Sequence, residues 1–235
     1  MIESIISDLK LVSNNKKATT LSRFFKTGKG EYGEGDKFAG ITVPNSRLVA
    51  KKYARTIDYN TIQDLISSEI HEYRLTALLI LVEKFSKKKL DTDREVLINF
   101  YLSNTQYINN WDLVDLSCYK ILGEWLLDRD KSVLFQLADS TILWEQRISI
   151  VTCMHFIRNE QYDTFIQIAE KLLNHPHDLI HKAIGWLLRE IGKKNIEVEK
   201  VFLKKHYKNM PRTTLRYSIE KFPEEERQKY LKGTI

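Results

Sequence analysis

Apolar side chains recur at three- and four-residue spacing along nearly the whole chain, which is the pattern of amphipathic helices. Each of the four prolines, Pro44, Pro176, Pro211 and Pro223, stands where such a run begins, and a helix tolerates proline in its first turn. The pattern therefore predicts an all-α chain of paired helices. The predicted helices cover residues 2–13, 17–26, 44–56, 60–68, 71–86, 91–103, 111–127, 131–138, 143–157, 161–173, 177–192, 195–207, 211–221 and 223–231.

Alternate helices begin in a similar way, with one position before an apolar run often holding a cation. Aligning the chain on residues 74, 114, 147, 182 and 212 gives steps of 40, 33, 35 and 30 residues. Such steps are typical of degenerate HEAT-like repeats, which stack into an α-α superhelix, or solenoid. We expect one domain over residues 1–235.

The same alignment predicts a binding face. Offsets of −3, 0, +1 and +4 from the aligned position fall within about 100° of one another on a helix. Those offsets are occupied by Trp111, Trp144, Arg147, Asp115, Trp186 and Arg216. Stacked helices would then present aromatic rings, a carboxylate and cations on one surface, and such surfaces of solenoids bind ligands.

Charge is unevenly distributed along the chain. The net charge is +6, but residues 16–60 hold ten Lys/Arg against four Asp/Glu, and residues 181–235 hold fourteen against seven. The stretch 61–180 is correspondingly acidic. Two basic ends favour a polyanion partner, most often nucleic acid, although lysines on solvated helix surfaces explain the counts equally well.

Several protein classes are disfavoured by the sequence. The most apolar run, Thr76 to Val82, is too short for a membrane span, and the acidic start resembles no signal peptide. Cys118 and Cys153 lie in apolar helical patterns and read as reduced core residues. We therefore expect a soluble cytoplasmic monomer that has no membrane partner. The histidines show no zinc spacing, so we expect neither a metal nor another cofactor.

Two segments hold candidate chemistry. Trp111 and Asp115 are four residues apart and share a helix face, where an aromatic ring and a carboxylate suit a cationic or oxocarbenium-like species. The alternative is that Trp111 is core and that the nearby acids favour the helix start. Gly185 lies inside a predicted helix beside Trp186, which requires close approach of a neighbouring helix or a ligand.

A glycine-rich segment at residues 27–37 interrupts the helical pattern. It lacks the Lys-Ser/Thr ending and the strand of a phosphate loop. We interpret it as a flexible loop or hairpin inserted between Phe24-Phe25 and Phe38. Its lysines, including Lys29 and Lys37, are candidate phosphate contacts.

Three motifs together resemble the AlkD-type DNA alkylation repair proteins, which are built from HEAT-like repeats. They are Trp111-Asp112-x-Val114-Asp115, Trp144-x-Gln146-Arg147, and the run from Lys182 through Gly185-Trp186 to Arg189-Glu190. The resemblance covers roughly residues 17–222. It implies a C-shaped solenoid that binds duplex DNA on a basic concave face, becoming nucleoid-associated when DNA is bound.

The resemblance also implies an activity. Active members are glycosylases that release cationic alkylated purines such as 3-methyladenine and 7-methylguanine, without drawing the base into a deep pocket. By motif, Asp115 corresponds to the carboxylate that stabilises the sugar cation, Trp111 and Trp186 to aromatic walls, and Arg147 to a DNA-contacting cation. The other cations expected to contact DNA are Lys182, Arg189, Arg212 and Arg216.

Two alternatives remain open at the level of sequence. Related HEAT-like proteins carry a hairpin near the position of segment 27–37 and bind branched DNA without excising bases. Many HEAT-like solenoids are instead scaffolds for protein interactions.

Overall fold

A computed structural model describes residues 1–87 and 90–235 of the chain. The described residues form helices and turns without any strand, which confirms the predicted all-helical repeat fold. They divide into two compact units, Met1–Ser117 and Cys118–Ile235. Within this described part, no helix is both long enough and apolar enough to cross a membrane.

The first unit is built on a long helix with an apolar, buried middle. Its helices are α1 (Ile2–Leu11), α2 (Asn15–Phe24), α3 (Val43–Tyr53), α4 (Tyr59–Ile66), α5 (His71–Lys87), α6 (Asp91–Leu102) and α7 (Trp111–Cys118), the last ending at the unit boundary. A 3₁₀ turn at Thr105–Tyr107 precedes α7. Helix α5 packs against α3 and α4, and the run Leu75–Leu81 is buried on every side. A helical run that is apolar on nearly every side belongs in a core, which explains the central position of this part of α5.

The second unit repeats a pairing of alternate helices. Its helices are α8 (Glu124–Leu126), α9 (Ser132–Asp139), α10 (Leu143–Arg158), α11 (Asp163–Lys171), α12 (Asp178–Lys194), α13 (Ile196–His206), α14 (Arg212–Ser218) and α15 (Glu224–Lys232). Helix α12 packs between α10 and α14, while α9 and α11 lie against α10. Side-by-side packing of alternate helices is the arrangement that the aligned repeats predict.

Gly185 shows why one of these contacts is so close. A Cβ atom at this position would lie 2.6 Å from the backbone oxygen of Thr214 and 2.6 Å from Cβ of Tyr217, both on α14. Only glycine lets the two helices approach this far, because any larger side chain would collide with backbone. The predicted packing reason for Gly185 is confirmed, and it is a neighbouring helix.

One predicted helix, 111–127, is not uniform. The backbone widens into a π-helical turn at Tyr119–Gly123 between α7 and α8. Gly123 there lies against α10, where an added Cβ would meet the Thr152 carbonyl at 2.8 Å. The spacing of apolar residues predicts that a helix continues through this stretch, but it does not predict the extra residue in one turn.

Candidate functional site: an aromatic and carboxylate cavity in the first unit

The start of α7 positions the two residues that the sequence singles out. The Asn110 side chain accepts a hydrogen bond from the Trp111 backbone N–H at 2.9 Å, and the Asp112 side chain accepts one from Leu113 N–H at 2.9 Å. These bonds satisfy amides that a helix start leaves without partners. Trp111 and Asp115 then lie one turn apart, and both are half-buried along the same cavity.

Aromatic rings pack around Trp111 in a continuous cluster. Phe25 stacks on Trp111 with ring centroids 5.2 Å apart, and Phe38 stacks on Phe25 at 5.1 Å. The edge of Phe24 meets Trp111 at 5.9 Å, and Phe38 in turn stacks on the imidazole of His71 at 4.5 Å. The glycine-rich segment is flanked by Phe25 and Phe38, so its two ends supply the wall behind Trp111.

The cavity in front of this wall has a volume of about 660 Å³. One side is the face of α2 that carries Lys16, Lys17, Thr20, Leu21 and Phe24. The stretch from Ile41 to Pro44 lines it as well, and so do Asp112, Asp115 and Leu116 of α7. The surface is therefore largely apolar, with carboxylates on α7, lysines on α2, and His71 and Glu72 at the start of α5.

A buried polar network lies behind the cavity. Asp36 accepts hydrogen bonds from Arg74 at 2.6 Å and from Asn109 at 3.1 Å through Oδ1. Its Oδ2 lies 3.1 Å from Nδ1 of His71, and Nε2 of the same imidazole lies 2.9 Å from Oδ2 of Asp112. His71 is thus held between two carboxylates, one from the glycine-rich segment and one from α7.

The charges of this network stabilise each other. Burial alone would lower the pKa of His71, but the nearby carboxylates of Asp112 and Asp36 raise it to about 9. Burial alone would raise the pKa of Asp36, yet the hydrogen bond from His71 and the charge of Arg74 hold it below its ordinary value. At neutral pH, His71 is therefore an imidazolium ion between two carboxylates.

The raised pKa of His71 predicts that stability falls in mild alkali. A histidine with a pKa near 6.5 when unfolded and about 9 when folded contributes its full stabilisation below pH 6.5 and loses it as the pH rises through 9. The contribution is on the order of 3 kcal/mol. Urea unfolding of the wild type and of His71→Gln should therefore show a free-energy gap that is largest near pH 6 and closes by about pH 10.

Comparing the wild type with His71→Gln separates the effect of His71 on stability from that of other groups that titrate in this range. Burial raises the pKa of Glu199, in the second unit, to about 8, so its ionisation also weakens the fold as the pH rises. That effect is common to both proteins and cancels in the difference. A gap that stayed constant from pH 6 to about pH 10 would show that His71 carries the same charge in the folded and unfolded chains.

Two buried carboxylates, Asp36 and Glu72, anchor the glycine-rich segment and the residues that follow it. Residues 28–36 form consecutive turns, and Lys37 ends them in an isolated parallel bridge with Ile70. Glu72 accepts backbone hydrogen bonds from Ala39, Gly40 and Ile41 at 2.9, 2.8 and 3.1 Å. Gly33 lies so close to Phe25 that an added Cβ would be 2.3 Å from its carbonyl oxygen. A flexible loop or hairpin was predicted here, and the structure describes consecutive turns that are anchored at their end.

The candidate lysines of this segment lie on its surface. Lys29 is exposed, and Lys37 forms an ion pair with Glu69 at 2.6 Å in which both side chains are exposed. Such exposed pairs contribute little to stability, so Lys37 can exchange Glu69 for another anion at small cost.

Two predicted surface residues of the second unit are buried instead. Trp144 is 8% exposed and Arg147 is 5% exposed. Arg147 donates a hydrogen bond to the backbone carbonyl of Leu179, which joins α10 to the start of α12. The prediction that Trp144 lies on an open binding face is therefore wrong. In this repeat the aligned residue, Arg147, and Trp144 one turn before it both face the core. A DNA contact by Arg147 stays a prediction.

The other predicted residues of the second unit are more accessible. Trp186 is half-buried on α12, and Lys182 on the same helix forms an ion pair with Asp178 at 2.7 Å. Arg189 is half-buried and pairs with Glu220. Arg212 and Arg216 are exposed on α14, and Arg212 donates to the Leu231 carbonyl at 3.1 Å.

The structure adds residues that the sequence did not single out. His71, Asp36 and Asp112 come together only through folding, because His71 is separated from the two acids by 35 and 41 positions. One alternative from the sequence was that an acid beside Trp111 favours the helix start, and Oδ1 of Asp112 does accept a hydrogen bond from the Leu113 amide. Across residues 1–87 and 90–235, no group of three or more histidines, cysteines and acids is arranged to hold a metal ion.

The model of the DNA alkylation repair enzyme family matches residues 5–222. The chain belongs to this family, and the resemblance seen in the sequence is confirmed.

A solved structure supports the same fold. It is described as a predicted DNA alkylation repair enzyme from Enterococcus faecalis, and it superposes with a TM-score of 0.69 at 18% identity. The match covers 89% of this chain and 96% of the other. At this identity the likeness shows the fold that the two proteins share. A search of curated proteins gave no significant match.

Proposed function

We propose that this protein binds duplex DNA and hydrolyses the N-glycosidic bond of cationic alkylated purines. The observation that carries the proposal is the placement of Asp115 one helical turn from Trp111, along a cavity walled by aromatic rings. The family is one of DNA alkylation repair, and a carboxylate beside aromatic rings suits the release of a charged base. DNA is accordingly the proposed partner.

Asp115 would act on the charge that develops as the bond breaks. The electron pair of the glycosidic bond leaves with the base and neutralises its positive charge, while the sugar becomes oxocarbenium-like. A carboxylate near that sugar stabilises the transition state more than the ground state, and so it raises the rate. A water molecule then adds its oxygen to the sugar carbon, and the proton it loses passes to the carboxylate or to solvent.

The aromatic wall would favour a cationic base over a neutral one. Ring faces carry negative quadrupole charge, so Trp111 and the exposed ring of Phe24 attract a positively charged purine. We propose no lysine nucleophile, so the reaction ends at an abasic site with both strands intact.

DNA binding would rest on phosphate contacts by exposed cations. In the first unit these are Lys16, Lys17 and Lys29, and in the second unit Arg212 and Arg216 on α14. Contacts to phosphate position the protein without reading sequence. This is the behaviour required of a protein that searches DNA for damage.

Phosphate binding predicts a steep dependence of affinity on salt. The logarithm of the association constant should fall linearly with the logarithm of salt concentration, by roughly 0.9 for each phosphate neutralised. Arg216→Ala should weaken binding to unrelated sequences equally and reduce that slope by about one. Fluorescence anisotropy titrations at several salt concentrations measure both quantities.

Lys229 provides a matched control for that titration. It is an exposed cation whose Nζ lies 2.7 Å from Glu225 on α15, so Lys229→Ala removes the same charge from another place. If Lys229→Ala lost as much affinity for DNA as Arg216→Ala, binding would depend only on the net charge of the protein. Binding insensitive to salt would contradict phosphate contact altogether.

The activity itself is tested on duplex DNA that carries 7-methylguanine or 3-methyladenine. Free base in the supernatant, with intact strands, is the expected result. Binding of the same DNA without release would instead favour a non-catalytic binder, and parallel titrations with three- and four-way junctions would show whether branched DNA is preferred. Absence of binding to every DNA would favour a protein scaffold.

A further inference from the structure

The short helix α7 is tied to the buried network at its start. It has eight residues, and the backbone widens into the π-helical turn directly after it. Both side chains that accept its first amides continue into the network. Asn110 donates to Oδ2 of Asp36 at 3.3 Å, and Oδ2 of Asp112 lies 2.9 Å from Nε2 of His71. The start of α7 is therefore fixed by Asp36 and His71.

Asp112 joins His71 to this start through its two oxygens. Oδ1 accepts the Leu113 N–H, and Oδ2 accepts a hydrogen bond from the imidazole. Only 5% of Asp112 is exposed, so its carboxylate is confined to this bridging orientation. Trp111 precedes Asp112 directly and Asp115 follows within one turn, so the bridge sets where both side chains meet the cavity.

The imidazole of His71 also contacts the aromatic wall. Phe38 stacks on it with ring centroids 4.5 Å apart, and the Phe25 centroid lies 5.1 Å away. Phe25 in turn stacks on Trp111. A positively charged ring is attracted by the faces of phenyl rings, so the charge of His71 strengthens these contacts. His71 thus touches both the helix and the wall that border the cavity.

This connection depends on the protonated form of His71. An imidazolium ion has two N–H donors, which here meet Asp36 and Asp112. A neutral imidazole has only one donor, so it can hold the loop or the helix but not both. Loss of the proton therefore breaks the link between the glycine-rich segment and α7.

The charged groups around the imidazole keep that proton in place at neutral pH. Asp36 faces it from the loop and Asp112 from α7, and against the opposing effect of burial they raise the pKa of the imidazole to about 9. On its own helix, Arg74 donates to Asp36, and Glu72 accepts from the backbone amides of residues 39–41.

We propose that His71 is a positioning residue for base release. Through Asp112 it holds the start of α7, and thereby the arrangement in which Trp111 and Asp115 meet the sugar of the damaged nucleotide. The proposal rests on the proposed function, and it requires no uptake of the base into the cavity. His71 borders the cavity, but only 1% of it is exposed, so it acts through its neighbours and not on the DNA.

Single-turnover release of 7-methylguanine, measured from pH 6 to pH 9.5 with the DNA saturated by protein, tests this role. His71→Gln should release base about tenfold to a hundredfold more slowly at pH 7, the effect of misplacing reacting groups by up to about 1 Å, while DNA affinity stays nearly unchanged. The wild-type rate should fall as the pH approaches 9, whereas the slow rate of the variant should lack this fall. Release from DNA without protein is subtracted at each pH.

Asp112→Asn gives a second test of the same connection. The amide oxygen still accepts the Leu113 N–H, but the negative charge beside the imidazole is gone, so the pKa of His71 should fall. The alkaline fall in the release rate should then begin at a lower pH than in the wild type. If His71→Gln fails to fold, this shift decides.

His206→Gln is the matched control. Nε2 of His206 lies 2.9 Å from Oε1 of Glu170 in the second unit, so the same substitution breaks a histidine–carboxylate contact away from the cavity. It should keep the wild-type rate and pH profile. Circular dichroism checks that each protein is folded across the pH range. Release at the wild-type rate by folded His71→Gln, or an unchanged pH profile in Asp112→Asn, overturns the proposal.

Fluorine NMR of protein labelled with 5-fluorotryptophan measures the positioning without catalysis. The chain has four tryptophans, and the three besides Trp111 lie in the second unit. The Trp111 resonance, assigned with Trp111→Phe, should shift as the pH rises through 9 and should be displaced in His71→Gln at pH 7. The other three resonances should stay in place in that variant.

The two proposals fail in different ways. A Trp111 resonance that responds to neither change overturns the role of His71 even if base is released. A Trp111 resonance that responds in a protein that releases no base would retain the positioning and remove only the glycosylase activity.

Discussion

Asp115→Asn is expected to slow the release of a cationic methylpurine by about a hundredfold or more while leaving DNA affinity nearly unchanged. The amide keeps the size of the side chain and removes its negative charge. That charge matters most when the sugar becomes cationic, which occurs only as the glycosidic bond breaks. Single-turnover release of 7-methylguanine, measured beside anisotropy titrations on the same duplex, separates the two effects.

Asp64→Asn is the matched control for this change. Asp64 is an exposed carboxylate on α4 of the same unit, so the variant alters net charge equally at a distance from the cavity. It should release base at the wild-type rate. If Asp115→Asn released base as fast as Asp64→Asn, the carboxylate would have no part in the mechanism.

Helices were well predicted by the spacing of apolar residues. The prediction of 71–86 agrees with α5 (His71–Lys87), and that of 143–157 agrees with α10 (Leu143–Arg158). A long amphipathic or apolar run contains enough residues to outweigh local exceptions. The π-helical turn at Tyr119–Gly123 was not predicted, because it depends on how Gly123 meets α10.

The candidate site was only partly predictable, because it has a local and a non-local part. Trp111 and Asp115 lie one turn apart on a single helix, so their proximity follows from spacing alone. His71 lies at the start of α5 and Asp36 in a loop, and nothing in their spacing indicates contact with Asp112. Exposure was equally hard to predict. Positions 147 and 212 are aligned in the repeats, yet Arg147 is buried on α10 and Arg212 is exposed on α14.

The buried network explains why the glycine-rich segment belongs to the site. Asp36 is the last residue of its turns, and it joins them to α5 through Arg74 and His71. His71 continues the connection to Asp112 at the start of α7. The segment therefore fixes the wall of Phe25 and Phe38 relative to the helix that carries Trp111 and Asp115.

Asp36→Ala is expected to destabilise the first unit by about 3–5 kcal/mol, because it leaves the Arg74 guanidinium and the His71 imidazolium buried without their shared carboxylate. Urea unfolding at neutral pH measures the loss. Glu34→Ala is the control, since Glu34 is an exposed acid of the same segment that accepts a hydrogen bond from the Gly30 amide at 2.7 Å. It should cost about 1 kcal/mol or less.

A double-mutant cycle shows whether Asp36 and His71 act as one network. With Asp36 already removed, His71→Gln deletes a cation that has lost one of its two carboxylates, so the second change should cost less than it does in the wild type. The two losses should therefore fall short of additivity by about 0.5–3 kcal/mol. Strict additivity would mean that the two side chains stabilise the fold independently.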